Sequence, residues 1–356
     1  MRYGLQVDVI RPHYRYGLSL EERTLSEALR EAGYTTAIFG KWHLGSFDRK
    51  YWPNARGFDY AYGHVFGALD YFTHMRNGII DWYRNGKRIR ENGYTTELIA
   101  REVVNYVRRY DSEKPFFLYI PFNAVHNPLQ VPERYLKPYS KLKGKRRLLA
   151  GMLSALDEAI GEIIEAIKEK GLYRRTLFVF SSDNGGFAPG RVTNNGPLRA
   201  GKATLYEGGV RACAFATWEG CIPGGKRINE PLHIVDWYPT LIKLAGGTLN
   251  SPRQKFPIDG QDIWPTLVEG KPPPHEAILL NCAPTSGALR KGPWKLKLSR
   301  KRGATLVELY NLGMDIGEKR NLADRYPEKV KELSRIYDRL ASQAVPPLSP
   351  RAKRKR

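Results

Sequence analysis

Residues 33–45 read GYTTAIFGKWHLG, and this stretch is the most informative part of the sequence. Its apolar run 37–39 is rich in residues that favour strands and leads into Gly40, so it predicts a buried strand that ends in a tight turn. Lys41 and His43 follow at spacing i, i+2, which in an extended segment places both side chains on one side. Ligands of open α/β sheets bind beyond the carboxyl ends of the strands, where this pair lies.

An ammonium group beside an imidazole suits an anionic substrate that needs a proton moved, such as a sulfate or phosphate ester. From the spacing alone, a surface loop with an ordinary lysine and histidine explains the pair equally well. The rest of the chain has to decide between the two interpretations.

The chain alternates amphipathic helices with strands that are apolar on both faces. This pattern predicts an α/β fold with a large, mixed or mostly parallel sheet between helices, followed by a small antiparallel sheet with one helix. Residues 48–92 read as long loops with a hairpin near Asn85 and Gly86. The predicted helices are 21–32, 95–110, 150–170, 231–246 and Pro327–Ala341; the predicted strands are 37–40, 116–120, 176–180, 277–280, 294–298 and 306–310.

Composition and linkers suggest the domain organisation. We predict a large α/β domain over 1–270, a small α+β subdomain over 271–345 and a basic tail over 346–356. The net charge of +22 points to a basic surface that attracts polyanions, but no nucleic-acid-binding module accompanies it. No apolar run is long enough to span a membrane, and the three cysteines lack the spacing of a zinc site or a disulfide framework.

Two further segments carry candidate site residues. Asp183 and Asn184 follow the predicted strand 176–180 in SSDNGG, where their oxygens could bind a hard cation or simply form an Asx turn. His126 follows the predicted strand 116–120, where it suits proton transfer, although a lone histidine is more often structural.

Together these segments resemble the sulfatase family, and the arylsulfatase B-like members in particular. GYTTAIFGKWHLG is similar to the family's G-Y-x-T-x-x-x-G-K-W-H-L-G, SSDNGG to S-D-N-G-G, and VHNPLQVP to V-H-x-P-L-Q-V-P. GPLRAGKATLYEGGVR resembles P-L-R-G-x-K-x-x-x-W-E-G-G-V-R, and ELYNLGMDIGEKRNLA resembles an architectural C-terminal segment. The resemblance implies an alkaline-phosphatase-like fold, hydrolysis of sulfate esters, and export from the cytoplasm.

The resemblance also assigns the roles of individual residues. It implies that Lys41, His43, His126 and Lys202 are catalytic and that Asp183 and Asn184 bind a calcium ion. Lys202 owes its role wholly to the resemblance. Glu207 and Arg211 match as architectural residues that we expect to pair with each other. The natural substrate, an aryl sulfate or a sulfated sugar or glycan, stays open, as does the oligomeric state.

Two family features are missing from the sequence. It contains no Asp-Asp pair for the metal, and no C-x-P-S-R or S-x-P-S-R motif whose Cys or Ser becomes formylglycine. Without that nucleophile the family's covalent route is closed, so we expect this polypeptide to be inactive. A misplaced start, a truncated gene and a non-catalytic binder of sulfated or anionic glycans all stay open. A phosphoester hydrolase of the same superfamily is a further alternative.

Overall fold

The computed structural model describes residues 3–188, 192–301 and 303–348, which form two compact units. The N-terminal unit comprises Ile10–Thr176 and Trp237–Asp259; of the described residues, 3–9, 177–188, 192–236, 260–301 and 303–348 belong to the C-terminal unit. Most of the predicted basic tail, beyond residue 348, lies outside the described residues. In the described part of the chain, no helix is long and apolar enough to cross a membrane.

The N-terminal unit is built on a five-stranded sheet. Its strands are β1 (Thr35–Lys41), β2 (Tyr60–His64), β5 (Tyr83–Arg84), β6 (Lys87–Arg88) and β7 (Phe116–Tyr119), and β3 (Met75–Arg76) and β4 (Ile79–Ile80) form a separate hairpin. The order is β6-β5-β2-β1-β7, with β1 parallel to β2 and β7 and with β5 and β6 antiparallel to their neighbours. The predicted hairpin at Asn85 and Gly86 is confirmed, because these two residues form its turn.

The helices of the N-terminal unit are α1 (Leu25–Glu31), α2 (Thr95–Arg109), α3 (Gly144–Glu169) and α5 (Trp237–Leu244). Helix α1 starts later than predicted because the Thr24 side chain caps it, in a capping box with Glu27. Helix α3 starts earlier than predicted. Its first turn contains the basic residues 145–147 and therefore lacks the apolar periodicity from which the helix was predicted. The predicted helix 231–246 is shorter, with a 3-10 turn (Ile234–Asp236) before α5.

The C-terminal unit contains a two-stranded and a four-stranded antiparallel sheet. The first pairs β8 (Phe178–Ser181) with β9 (Ala214–Thr217); the second runs in chain order through β10 (Ile278–Ala283), β11 (Ser286–Lys291), β12 (Trp294–Lys301) and β13 (Ala304–Asn311). Its helices are α4 (Glu207–Val210), α6 (Trp264–Glu269) and α7 (Pro327–Ala341). The predicted small antiparallel sheet with a last helix is therefore confirmed.

Helix α7 packs against the four-stranded sheet through a shared apolar core. Leu333 and Tyr337 of α7 are buried against Leu289, Leu296 and Leu309 of the sheet.

Strand β11 and helix α6 were not predicted, and β8 pairs antiparallel with β9 although we expected it in a mostly parallel sheet. A four-residue strand gives an apolar pattern but no information about its partner.

Candidate active site

At the carboxyl ends of β1 and β2, two paired glycines leave no room for side chains. A Cβ on Gly40 would lie 2.3 Å from the carbonyl oxygen of Pro121, and one on Gly63 would lie 2.2 Å from the carbonyl oxygen of Gly40. Immediately afterwards, Lys41 is the register partner of His64 on β2. Partners in register point to the same face of a sheet, so an ammonium and an imidazole stand on one face here.

His43 lies beyond the strand and does not continue its alternation. Its φ of 58° is in the left-handed region, so our argument that an extended backbone aligns it with Lys41 was wrong. Its backbone N–H donates to Val65 (3.2 Å), and its imidazole lies against Gly67, where a Cβ would come within 2.4 Å of Nε2. Close contact with a glycine, not strand geometry, holds the ring.

The surroundings of His43 keep its imidazole neutral. Burial and, next, the Lys41 ammonium lower its pKa to about 4, and Arg76 and His126 act in the same direction. A hydrogen bond with the backbone of Ile10 opposes them. At pH 7 the ring is therefore a neutral group that can accept a proton, beside two fixed positive charges.

A second histidine, His64, lies beside this group and was missed by sequence analysis. Its Nδ1 is 2.9 Å from the carbonyl oxygen of Phe66, which can only accept, so Nδ1 carries the hydrogen and Nε2 a lone pair. Burial and Lys41 lower its pKa to about 3. Burial raises the pKa of the nearby Asp81 to about 6, although this carboxylate accepts hydrogen bonds from the backbone N–H groups of Val65 and Phe66. No strand was predicted at 60–64, so no register could indicate His64.

His126 is held by a tight turn after β7. Its backbone N–H donates to Asn123 (2.8 Å), and its Nδ1 lies 2.9 Å from the carbonyl oxygen of Asn127. The buried Tyr71 hydroxyl reaches the carbonyl oxygens of both Asn123 (2.7 Å) and His126 (2.8 Å). This hydroxyl fixes the turn, and His126 is electrostatically coupled to His43.

In the C-terminal unit, Asp183 and Asn184 lie in the turn after β8, as predicted. Asn184 donates from Nδ2 to the carbonyl oxygen of Gly185 (2.9 Å), and the Ser182 hydroxyl donates to the Asn184 carbonyl (2.9 Å). A Cβ on Gly185 would lie 1.7 Å from the carbonyl oxygen of Gly208. The turn is therefore shaped by backbone packed directly on backbone.

Lys202 lies against the same turn. Its backbone N–H donates to the carbonyl oxygen of Gly186 (3.1 Å), and a Cβ on the preceding Gly201 would come within 2.1 Å of that oxygen. The C-terminal unit thus places Lys202 next to the turn of Asp183 and Asn184. The N-terminal unit brings Lys41, His43 and His126 together with His64 and Arg76, the two members that the sequence did not reveal.

The turn at Asp183 presents oxygen atoms that can be compared with the ligands a calcium ion takes. With Nδ2 of Asn184 engaged, its Oδ1 and the Asp183 carboxylate are oxygen donors of the kind that Ca²⁺ prefers. Among the described residues, however, no group of three or more His, Cys, Asp or Glu side chains is arranged to hold a metal ion. The donors fit calcium in kind, but one carboxylate and one amide supply few of the roughly six to eight oxygens that it takes.

Helix α4 carries a buried ion cluster. Arg211 lies 3.8 Å from Glu207, as expected, but Glu207 also lies 2.9 Å from Nζ of Lys295 on β12, which is fully buried. Glu318 lies 2.9 Å from the same ammonium, and it accepts a hydrogen bond from the Glu207 backbone (2.6 Å). The segment that follows Lys202 is thus fixed to the four-stranded sheet by buried charges.

Comparison with known proteins assigns the family. The family model described as Sulfatase matches residues 5–247. Mouse arylsulfatase J is 35% identical over 399 residues, covering 96% of this chain and 66% of the relative. Rat N-acetylgalactosamine-6-sulfatase is 32% identical over 270 residues, covering 71% of this chain and 50% of the relative. The chain therefore spans between half and two thirds of these relatives.

Solved structures agree on the fold. The crystal structure of Ps i-CgsB in complex with k-i-k-neocarrahexaose has a TM-score of 0.88 at 30% identity, covering 97% of this chain and 80% of that one. The phosphonate monoester hydrolase of Agrobacterium radiobacter, at 17% identity and a TM-score of 0.65, shares the fold alone. With the matched motifs at Lys41, His126, Asp183 and Lys202, the chain belongs to the sulfatase family, sulfuric ester hydrolases with an alkaline-phosphatase-like fold.

Proposed function

We propose that this protein recognises the sulfate ester of a sugar through Lys41, His43, His126 and Lys202. The observation that carries the proposal is the environment of His43, a neutral, half-buried imidazole beside the cations Lys41 and Arg76. Fixed cations attract a sulfate, and a neutral imidazole can exchange a proton with the ester oxygen.

The roles follow from the chemistry of each group. Lys41 and Lys202 neutralise sulfate oxygens, and they stabilise negative charge as it develops on the departing oxygen. His43 and His126 accept or donate protons. A bound anion offsets the charge of Lys41, so sulfate binding raises the pKa of His43 and makes the ring a better proton acceptor.

Asp183 and Asn184 are proposed as two oxygen ligands of a calcium ion, completed by further oxygen donors or water. When bound, the ion supplies a positive charge that polarises the sulfate. The backbone packing at Gly185 fixes the turn that carries both ligands.

The relatives support a sugar sulfate as the substrate class. One is named as an N-acetylgalactosamine-6-sulfatase, and one similar structure contains a neocarrahexaose. Turnover is a separate matter, because the sequence holds no C-x-P-S-R or S-x-P-S-R motif. For this polypeptide we propose recognition of the ester without hydrolysis; hydrolysis belongs to a chain that also supplies formylglycine.

Calorimetric titration with N-acetylgalactosamine 6-sulfate and with the unsulfated sugar tests recognition. We expect the sulfated sugar to bind more tightly, and Lys41→Ala to lower its affinity about tenfold through the loss of a charge-assisted contact. The matched control is Lys50→Ala, which removes an exposed lysine paired with Asp48. Equal affinity for the two sugars, or equal losses in the two variants, would contradict the proposal.

The absence of turnover is tested with an aryl sulfate and added Ca²⁺. We expect no hydrolysis above that of the Lys41→Ala variant. Hydrolysis that depends on Lys41 would show that another group serves as the nucleophile. A sugar phosphate that binds as tightly as the sulfate would favour the phosphoester alternative.

The net charge of +22 favours one second candidate, a binder of long sulfated glycans. It predicts saturable, salt-sensitive affinity for heparin-like chains that weakens when Lys41 and Lys202 are both replaced. Binding that disappears only on deletion of residues 351–356 would assign the affinity to the basic terminus instead.

A further inference from the structure

Three hydrogen bonds converge on the side-chain amide of Asn195. Its Oδ1 accepts from the backbone N–H of Gly186 (2.9 Å), and its Nδ2 donates to the carbonyl oxygens of Gly186 (3.0 Å) and Ala200 (2.8 Å). This orientation of the amide is the one that its partners require, because an N–H needs an acceptor and two carbonyl oxygens need a donor. One side chain thus joins two backbone segments that are separate in sequence.

These two segments carry the candidate residues of the C-terminal unit. Gly186 closes the turn that begins with Asp183 and Asn184, whereas Ala200 precedes Gly201 and Lys202. The only direct backbone bond described between the two segments runs from the Lys202 N–H to the Gly186 carbonyl (3.1 Å). The Asn195 amide binds the same carbonyl oxygen from a second direction.

The amide is tightly packed on the side that faces two glycines. A Cβ on Gly201 would lie 2.7 Å from Nδ2 of Asn195, and one on Gly186 would lie 3.1 Å from its Oδ1. The glycines that flank the amide therefore leave room for it and for little else. Removal of the amide would leave Ala200 and Gly186 without these partners and would allow the two segments to move apart.

We propose that Asn195 is a positioning residue that sets Lys202 relative to Asp183 and Asn184. The inference rests on the proposed function, in which Lys202 binds sulfate. Asn195 acts through the two segments and contacts no substrate itself. It adds to the residues of the family resemblance a group whose role is inferred from three hydrogen bonds.

The test compares two adjacent asparagines. Asn195→Ala removes the bridge, and Asn195→Asp keeps the acceptor but loses both donors. Asn194→Ala is the control, because its described side-chain bond is local, from the Gly196 N–H to its Oδ1 (2.8 Å). Circular dichroism and thermal melts first establish that each variant is folded, with Asn195→Asp as the reserve if Asn195→Ala does not fold.

The first readout is hydrogen exchange at the Lys202 amide, measured on the full chain. We expect exchange about tenfold faster in both Asn195 variants and unchanged in Asn194→Ala, since the bond to Gly186 opens more often once the bridge is lost. An unchanged rate in both Asn195 variants would overturn the positioning role, whatever Lys202 binds.

The second readout is affinity for inorganic sulfate at constant ionic strength. We expect Asn195→Ala and Lys202→Ala each to weaken binding about tenfold, and the double variant to bind as Lys202→Ala does, because Asn195 acts through Lys202. Lys226→Ala, at an exposed lysine of the same unit, corrects for net charge.

The outcomes separate the two proposals. If the loss of affinity in the double variant equals the product of the two single losses, Asn195 does not act through Lys202. If Lys202→Ala binds sulfate like Lys226→Ala, the proposed role of Lys202 fails. The exchange rate then still reports whether Asn195 sets the geometry of the segment.

Discussion

Two clusters of ionisable groups, one in each unit, offset the cost of burial in opposite ways. In the N-terminal unit, the half-buried His43 and the buried His64 lie beside the positive charge of Lys41, and their pKa values fall to about 4 and about 3, so both rings are neutral. In the C-terminal unit, Lys295 is buried between the carboxylates of Glu207 and Glu318, which compensate its charge directly. Burying a charge is costly unless the group is neutralised or paired, and this chain uses both solutions.

This difference indicates which kind of change, in pH or in sequence, affects the stability of each region most. A neutralised histidine makes the N-terminal site responsive to pH, because protons bind more readily to the unfolded chain. The paired Lys295 makes the stability of the segment after Lys202 sensitive to mutation, because removing this lysine leaves the carboxylates of Glu207 and Glu318 without its charge. Each of the following changes tests one side of this contrast.

The largest effect is expected for Lys295→Met. It leaves two buried carboxylates without their ammonium, which costs about 4 kcal/mol of unfolding free energy. Lys291→Met is the control, since Lys291 also contacts two carboxylates, Glu276 and Glu332, but lies near the surface. Exposed pairs contribute about 0–1 kcal/mol. Urea unfolding measures both, and similar losses would break the contrast between buried and exposed pairs.

The next effect concerns the backbone packing of the C-terminal unit. Gly185→Ala places a Cβ 1.7 Å from the carbonyl oxygen of Gly208, so the segments must separate at a cost of about 3 kcal/mol. Gly224→Ala is the control, because nothing lies within 4 Å of a Cβ there. A thermal melt of Gly185→Ala that matches Gly224→Ala would show that this packing is not rigid.

The pH response of the N-terminal unit is expected to be smaller. The folded pKa of His64, about 3, lies below its ordinary 6.5, so the unfolded chain binds the proton first and stability falls as pH drops below about 6.5. At pH 5 this amounts to about 2 kcal/mol relative to pH 7. His64→Gln should remove that loss, whereas His13→Gln, at an exposed histidine, should leave it.

Asp81 lies near His64 and gives the stability a pH dependence of the opposite sign. Its folded pKa, about 6, lies above the ordinary 3.8, so the folded chain binds the proton first and gains stability as pH falls through 6. Asp81→Asn should therefore make the protein lose about 1 kcal/mol more between pH 7 and pH 5. Urea unfolding at the two pH values measures each variant, and equal pH dependence in His64→Gln and Asp81→Asn would contradict the assignment.

The candidate residues could be found from the sequence because each lies within a short local pattern. Lys41 and His43 follow an apolar run and a glycine, and Asp183 and Asn184 stand at the end of another strand. The resemblance to a known family then supplied the roles. The alternation of helices and apolar strands was likewise local, and it indicated the fold class.

The supporting residues could not be found in this way. His64 joins the site through the register of β2 with β1, Lys295 through a strand far along the chain, and Asn195 through a side chain that bonds only to backbone. Each depends on a contact made by the folded backbone, between distant strands for His64 and Lys295 and within one loop for Asn195, which neither periodicity nor spacing records. The buried partner of Glu207 was hidden for the same reason, since β12 reads as alternating lysines and apolar residues.

The smallest expected effect concerns the pair that the sequence did reveal. Arg211 lies four positions after Glu207 on the chain, but its side chain is 44% exposed and 3.8 Å from the carboxylate. Water screens such a pair, so Arg211→Ala should cost less than about 1 kcal/mol in urea unfolding. If it costs as much as Lys295→Met, burial does not decide which of the cations near Glu207 stabilises the protein most. The contrast drawn between neutralised and paired groups would then fail for this unit.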